Sequence, residues 1–150
     1  MAVSNLAPLT QSEIRQLAAD WYLKLDVHAP LEEYVPFLAE EGLEMRFPEG
    51  TVYGFDGFKG WYERVTRIFF DEVHTLKKVE ATSNSNTQVE VKVVVNWQAS
   101  IWNPPAAKSQ RIVSDAYQTW VVKRSPTTQK PVIQSYVVDS LEYAEGSARL

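Results

Sequence analysis

TQVEVKVVVNWQASIW, residues 87–102, is the stretch on which the fold turns. Val89, Val91, Val93, Val95, Trp97, Ala99 and Ile101 occupy every second position, while Gln88, Glu90, Lys92, Asn96 and Gln98 fill the places between. A strand sends successive side chains to opposite faces, so this pattern predicts a long strand with one face on a core. The same period marks VHTLKKVEAT (73–82), SQRIVSDAYQTWVVKR (109–124) and PVIQSYVVDSLEY (131–143). SNSN (83–86), NPPAAK (103–108) and SPTTQK (125–130) separate them with turn residues. Four long, mainly antiparallel strands are therefore expected over the second half of the chain.

The first half changes period. Thr10-Gln11-Ser12-Glu13 has the form of a capping box, and Ile14, Leu17, Ala18, Trp21 and Leu25 then recur at helical spacing. Asp20 and Tyr22 fall at opposite borders of that stripe. Pro30 suits the first turn of a second helix, LEEYVPFLAEEG (31–42), ended by Gly42; Pro36 removes a donor, which predicts a short or kinked helix. LEMRFPEGTVYG (43–54) reads as strand, turn, strand at a rim. Asp56 is placed to cap a third helix, with Phe58, Trp61, Tyr62, Val65, Ile68 and Phe69 on one face and Lys59, Glu63, Arg64 and Arg67 on the other.

Helices first and antiparallel strands afterwards make an α+β domain: three N-terminal helices packed in the concave face of a strongly curved sheet. Long strands twist, so the sheet wraps the helices into a cone whose mouth can hold a ligand. One domain spans residues 1–150, with its ordered core over about 10–143, as expected for a chain of this length.

Composition excludes several classes. A formal net charge of -4, with Lys77-Lys78 the longest basic cluster, gives no grip on a phosphate backbone, so nucleic acid is not an expected partner. The chain has no cysteine, which removes disulfide and thiolate chemistry. Met1 to Thr10 lacks the charged start and apolar run of a signal peptide, and no segment has the length of a membrane span. A soluble, cytoplasmic protein is the expectation. Two histidines far apart in sequence, and no acidic cluster at ligand spacing, argue against a metal site. No cofactor is expected.

The order of elements, with WYERVTRIFFDEVHTLKKVE (61–80) leading into QVEVKVVVNWQASIW and PVIQSYVVDSLEY, resembles the nuclear transport factor 2-like superfamily and within it the SnoaL-like domains. The resemblance implies the cone fold and a homodimer formed through the outer face of the sheet. It leaves activity open. Ketosteroid isomerase-like members carry a catalytic Asp where this chain has Phe47, and polyketide cyclase-like members carry one where it has Val138. Asp139, one step further, points to the opposite face. Scytalone dehydratase-like members come nearest, with a His at the start of the strand after helix three and an Asp and a Tyr on helix one; His74, Asp20 and Tyr22 occupy similar places here, although that family's second histidine has no counterpart.

Two readings follow. In one, the cone binds a small, largely apolar or polycyclic molecule, with Trp61, Tyr136, Phe47 and Val138 lining the site. In the other it is a cofactor-independent lyase or isomerase: His74 moves a proton, Asp20 holds the imidazole or a water, and Tyr22 or Tyr136 polarises an oxygen. A non-catalytic assembly subunit is a further alternative. His28 reads as a loop residue, and Asp71-Glu72 as punctuation at the end of helix three.

Overall fold

The computed structural model describes residues 6–81 and 87–150; the turn read at SNSN and the first five residues of the Met1 to Thr10 segment lie outside that range. Helix α1, Gln11–Asp26, opens as the capping box predicts. The Thr10 hydroxyl accepts the Glu13 N–H at 3.1 Å, and the Glu13 carboxylate accepts the Thr10 N–H at 3.2 Å. The helix ends with His28 in the left-handed region (φ 49°), its N–H on the Leu25 carbonyl at 3.2 Å and the Ala29 N–H on the Lys24 carbonyl at 3.1 Å. That pair of bonds is a Schellman motif with a histidine where glycine is usual.

The second helix is shorter than predicted and is of 3-10 type, Leu31–Phe37. Pro36 cannot donate to the ladder, and the chain leaves the helix before Gly42: the Ala39 N–H instead reaches the Ile133 carbonyl at 2.9 Å. Strands β1, Glu44–Phe47, and β2, Gly50–Tyr53, form the predicted short hairpin. Helix α2, Gly54–Ile68, starts earlier than expected. Tyr53 is its N-cap and Asp56 lies in its first turn, where a negative charge favours the N-terminal dipole.

Helix α2 passes into strand β3, Phe69–Ala81, with no intervening loop. Strands β4, Gln88–Ile101, β5, Gln110–Arg124, and β6, Pro131–Tyr143, complete a curved six-stranded sheet of order β2-β1-β6-β5-β4-β3. Among the described strands the β1–β6 pairing is parallel, and an isolated parallel bridge joins Leu38 to Ile133 beside it. Val89, Val91, Val93 and Val95 are buried as the alternation requires, each contributing about 1.5–3 kcal/mol if its burial is complete. Trp21, Tyr34, Phe58, Trp120 and Tyr136 form the aromatic centre between helices and sheet.

Two bulges make β3 more than an alternating strand. The register skips between Phe70 and Val73 and again between Leu76 and Lys78. An inserted residue switches which face the following residues take. Phe69 faces inward before the first bulge and Val79 after the second, both at odd positions; between them the more buried residues are Glu72, His74 and Leu76. Strand β6 is interrupted in the same way opposite Tyr117/Gln118 and Val121/Val122, and Tyr136 and Val138 lie between its two irregularities.

Arg124 ties the N-terminal segment to the sheet. Its guanidinium donates to both Glu13 oxygens at 2.7 and 2.9 Å and to the Ala7, Pro8 and Gln129 carbonyls, so every N–H is used. The Arg124 hydrogen bonds hold the Glu13 carboxyl down to about 2.

Candidate functional site

A cavity of about 100 Å³ opens between α1, α2 and the concave sheet. Its walls are aromatic and aliphatic: Phe47 stacks on Trp61 with centroids 3.9 Å apart, and Trp97 meets Phe69 edge-on at 5.2 Å. Tyr22, Phe47, Trp61, His74, Tyr136 and Val138 all line it, so the structure brings together every site residue read from the sequence except one. Asp20 is elsewhere. It accepts a hydrogen bond from Gln16 Nε2 at 2.8 Å, one turn back along α1.

The carboxylate that holds His74 is Asp26. His74 Nδ1 lies 2.7 Å from Asp26 Oδ1, and the His74 backbone N–H reaches Asp26 Oδ2 at 3.3 Å. A carboxylate only accepts, so the neutral imidazole carries its proton on Nδ1 and presents an unprotonated Nε2. Tyr22 stacks on the ring at 4.8 Å and fixes its plane. The signal for Asp26 was present in the sequence: it lies four residues after Tyr22 and therefore on the same helix face, whereas Asp20, two residues before it, does not.

Behind His74 is a buried polar network. Tyr22 and Tyr136 hydroxyls are 3.2 Å apart, Gln118 Nε2 donates to the Tyr22 oxygen at 2.9 Å, and Trp120 Nε1 donates to Gln118 Oε1 at 2.9 Å. Burial pushes the Tyr136 hydroxyl up to about 12, and burial with the adjacent Tyr136 pushes Tyr22 higher than the ordinary tyrosine value. Both stay protonated, and the hydroxyl whose proton is not used in their mutual bond can donate to a further oxygen. Gln118 shows no sequence signal beyond its place on the inward face of β5.

A second carboxylate also lines the cavity. Glu72, read from the sequence as helix punctuation, sits in the first bulge of β3; Oε2 is 2.7 Å from His28 Nε2 and Oε1 accepts Trp97 Nε1–H at 3.1 Å. His28 is thus a built component rather than a free loop residue. A period-two reading of β3 could not place Glu72, because the bulge before it resets the alternation. Among the described residues no group of three or more His, Cys, Asp or Glu side chains is arranged to hold a metal, and no helix is long and apolar enough to cross a membrane.

No protein-family model matches the chain, and no curated protein matches it significantly. Solved structures do. The hexachlorocyclohexane dehydrochlorinase type 3 from Novosphingobium barchaimii LL02 superposes with a TM-score of 0.73 at 14% identity, over 93% of each chain. A protein of unknown function with a cystatin-like fold from Nostoc punctiforme gives 0.69 at 16% identity over 95% of this chain and 99% of that one. A protein proposed to be a scytalone dehydratase, from Novosphingobium aromaticivorans, gives 0.65 at 16% over 93% and 87%. At these identities the likeness establishes the fold alone: the chain has a cystatin-like α+β cone, the fold that the resemblance implied.

Proposed function

We propose that the chain is a cofactor-independent enzyme that removes a proton from carbon in a compact, largely apolar substrate, as a lyase or isomerase. The observation that carries this reading is the His74–Asp26 pair. Its imidazole lines the cavity with Nε2 free of any protein partner among the described residues, while Asp26 holds Nδ1 from outside. In a lyase reaction His74 Nε2 takes the proton, the C–H electrons become a carbon–carbon double bond, and the leaving group departs with its own bonding pair. In an isomerase reaction the same proton returns to another carbon. Asp26 stabilises the imidazolium that forms, and Tyr22 or Tyr136 donates to an oxygen of the substrate. Resemblance in fold to a dehydrochlorinase supports lyase chemistry.

At about 100 Å³ the cavity is smaller than the roughly 150 Å³ that holds a benzene and far below the roughly 300 Å³ of drug-sized sites, so it suits a ligand of one ring at most and not a polycyclic one. The direct test is deuterium uptake from D₂O into nitroethane, a compact neutral carbon acid, followed by NMR. Catalysed uptake that disappears in His74→Ala supports the reading; uptake equal in the two proteins contradicts it. A homodimer through the outer face of the sheet belongs to the same proposal. Val113, Val121 and Val137 are half-buried there, and sedimentation would test it.

A further inference from the structure

The cavity wall holds two histidine–carboxylate pairs of equal length facing opposite ways. In the His74–Asp26 pair the imidazole lines the cavity and the carboxylate lies behind it; in the His28–Glu72 pair the carboxylate lines the cavity and the imidazole lies behind. Asp26 and His28 line a shallow hollow on the outer side of the same wall, with Arg111 and the exposed Phe70 and Val73, and Glu72 stands between the two spaces and lines both. The second pair is held in place by two non-glycine residues in the left-handed region, His28 (φ 49°) and Asp71 (φ 51°). Such conformations cost about 1–3 kcal/mol each and persist where the surroundings fix them.

From this we infer that Glu72 selects the charge of the ligand: the cavity takes a compact molecule whose polar end is a protonated amine, and it rejects carboxylates and phosphates. The inference rests on the proposed small-molecule reading of the cavity and adds the substrate's polarity to it. Glu72 is nearly enclosed, its side chain 10% exposed, and both oxygens act as acceptors, from Trp97 Nε1–H and from His28. Each oxygen retains a lone pair for a further donor. Among the described residues lining the cavity there is no lysine and no arginine; the other carboxylate, Glu49, is at its edge and faces Arg64 at 3.6 Å. His74, the one lining group that can become cationic, has its own carboxylate behind it.

A ligand carboxylate would therefore meet Glu72 with no lysine or arginine on the cavity wall to offset it, in a low-dielectric pocket where like charges repel strongly. An ammonium would gain a charge-assisted hydrogen bond to Glu72 and the faces of Trp61, Trp97 and Phe69 around it. Amine and carboxylate are distinguished here by the wall itself rather than by cavity size.

The test uses three probes of one shape: benzylamine, benzyl alcohol and benzoate, titrated at pH 7 by calorimetry or by ligand-observed NMR. Benzylamine is expected to bind about tenfold tighter than benzyl alcohol, with benzoate showing no binding. In Glu72→Gln, which keeps an acceptor for Trp97, the amine should fall to the level of the alcohol while the alcohol is unchanged. Benzoate binding as well as benzylamine in the wild type overturns the inference, whatever the variant does to folding. An unchanged amine preference in a folded Glu72→Gln overturns it as well. Binding of none of the three removes the cavity reading together with this one. The proton-abstraction reading is judged separately, by nitroethane exchange in His74→Ala, and either result there leaves the ranking of the probes interpretable.

Discussion

His74–Asp26 and His28–Glu72 are built from the same two residue types at the same 2.7 Å separation, yet they offer the cavity opposite chemistry. The histidine of the first pair is the more enclosed member, with 9% of its side chain exposed against 20% for Asp26; in the second pair the carboxylate is the more enclosed, 10% against 29% for His28. What a pair does follows from which member the backbone turns inward. The bulge at Asp71 and Glu72 brings both Glu72 and His74 to the concave side of β3, and the C-terminus of α1 supplies their partners, Asp26 and His28, two residues apart. One strand and one helix end thus set an imidazole and a carboxylate side by side on the cavity wall.

Removing the inward imidazole should separate the pairs most sharply. His74→Ala is expected to lower nitroethane exchange by roughly a hundredfold to ten-thousandfold, the usual contribution of a positioned general base. His28→Ala should lower it by no more than a few-fold, because His28 touches the cavity only through Glu72. Equal losses in the two variants would erase the distinction. Asp26→Asn comes next: the exchange rate should drop by at least roughly tenfold, because the carboxylate that fixes the tautomer and stabilises the imidazolium is gone, with kcat falling rather than KM rising.

Tyr22 is the wall against which His74 is stacked and also a member of the buried hydroxyl network. Tyr22→Phe keeps the stack but leaves Gln118 Nε2 without its acceptor, and should cost about 1–3 kcal/mol of stability in denaturant unfolding. The smallest effect concerns the third cation–carboxylate pair, Arg124–Glu13, which has no cavity to serve. Glu13's folded value of about 2 lies below its ordinary 4.5, so the pair stabilises the fold fully above pH 4.5 and loses that contribution as pH falls toward 2. Glu13→Gln should flatten the decline of the denaturation midpoint over that window. Because Glu13 is partly exposed, solvent screening keeps the change small.

Much of the fold was legible because its signals are local. The capping box at Thr10, the alternation from Val89 to Ile101 and the hairpin at Pro48 to Gly50 each read from a few neighbouring residues, and each stands in the structure. Pro36 announced a defective helix, and the 3-10 segment is that defect. The aromatic half of the site was legible too, since periodicity puts Trp61 on the inward face of its helix and Tyr22 at the border of the helix-one stripe, and both line the cavity with Tyr136.

The polar half was not. Glu72 sits in a bulge, and a bulge depends on the register of β3 against β4, which a single strand's sequence does not encode. The resemblance points to Asp20, in the middle of helix one, whereas the carboxylate that meets His74 is fixed by where β3 crosses the helix end, at Asp26. His28 looked like a loop residue, and its role appears only once the Schellman turn aims it at Glu72.

With only two histidines in the chain, the central contrast is open to one spectrum. Long-range ¹H–¹⁵N correlation of the imidazoles, recorded at a pH where both are neutral, reports which nitrogen of each ring bears the proton. Opposite tautomers are expected: His74 protonated at Nδ1, with Nε2 free for the cavity, and His28 protonated at Nε2, bonded to Glu72. A His74 ring protonated at Nε2 would contradict the assignment of that imidazole as the base, and with it the proposed chemistry of the cavity.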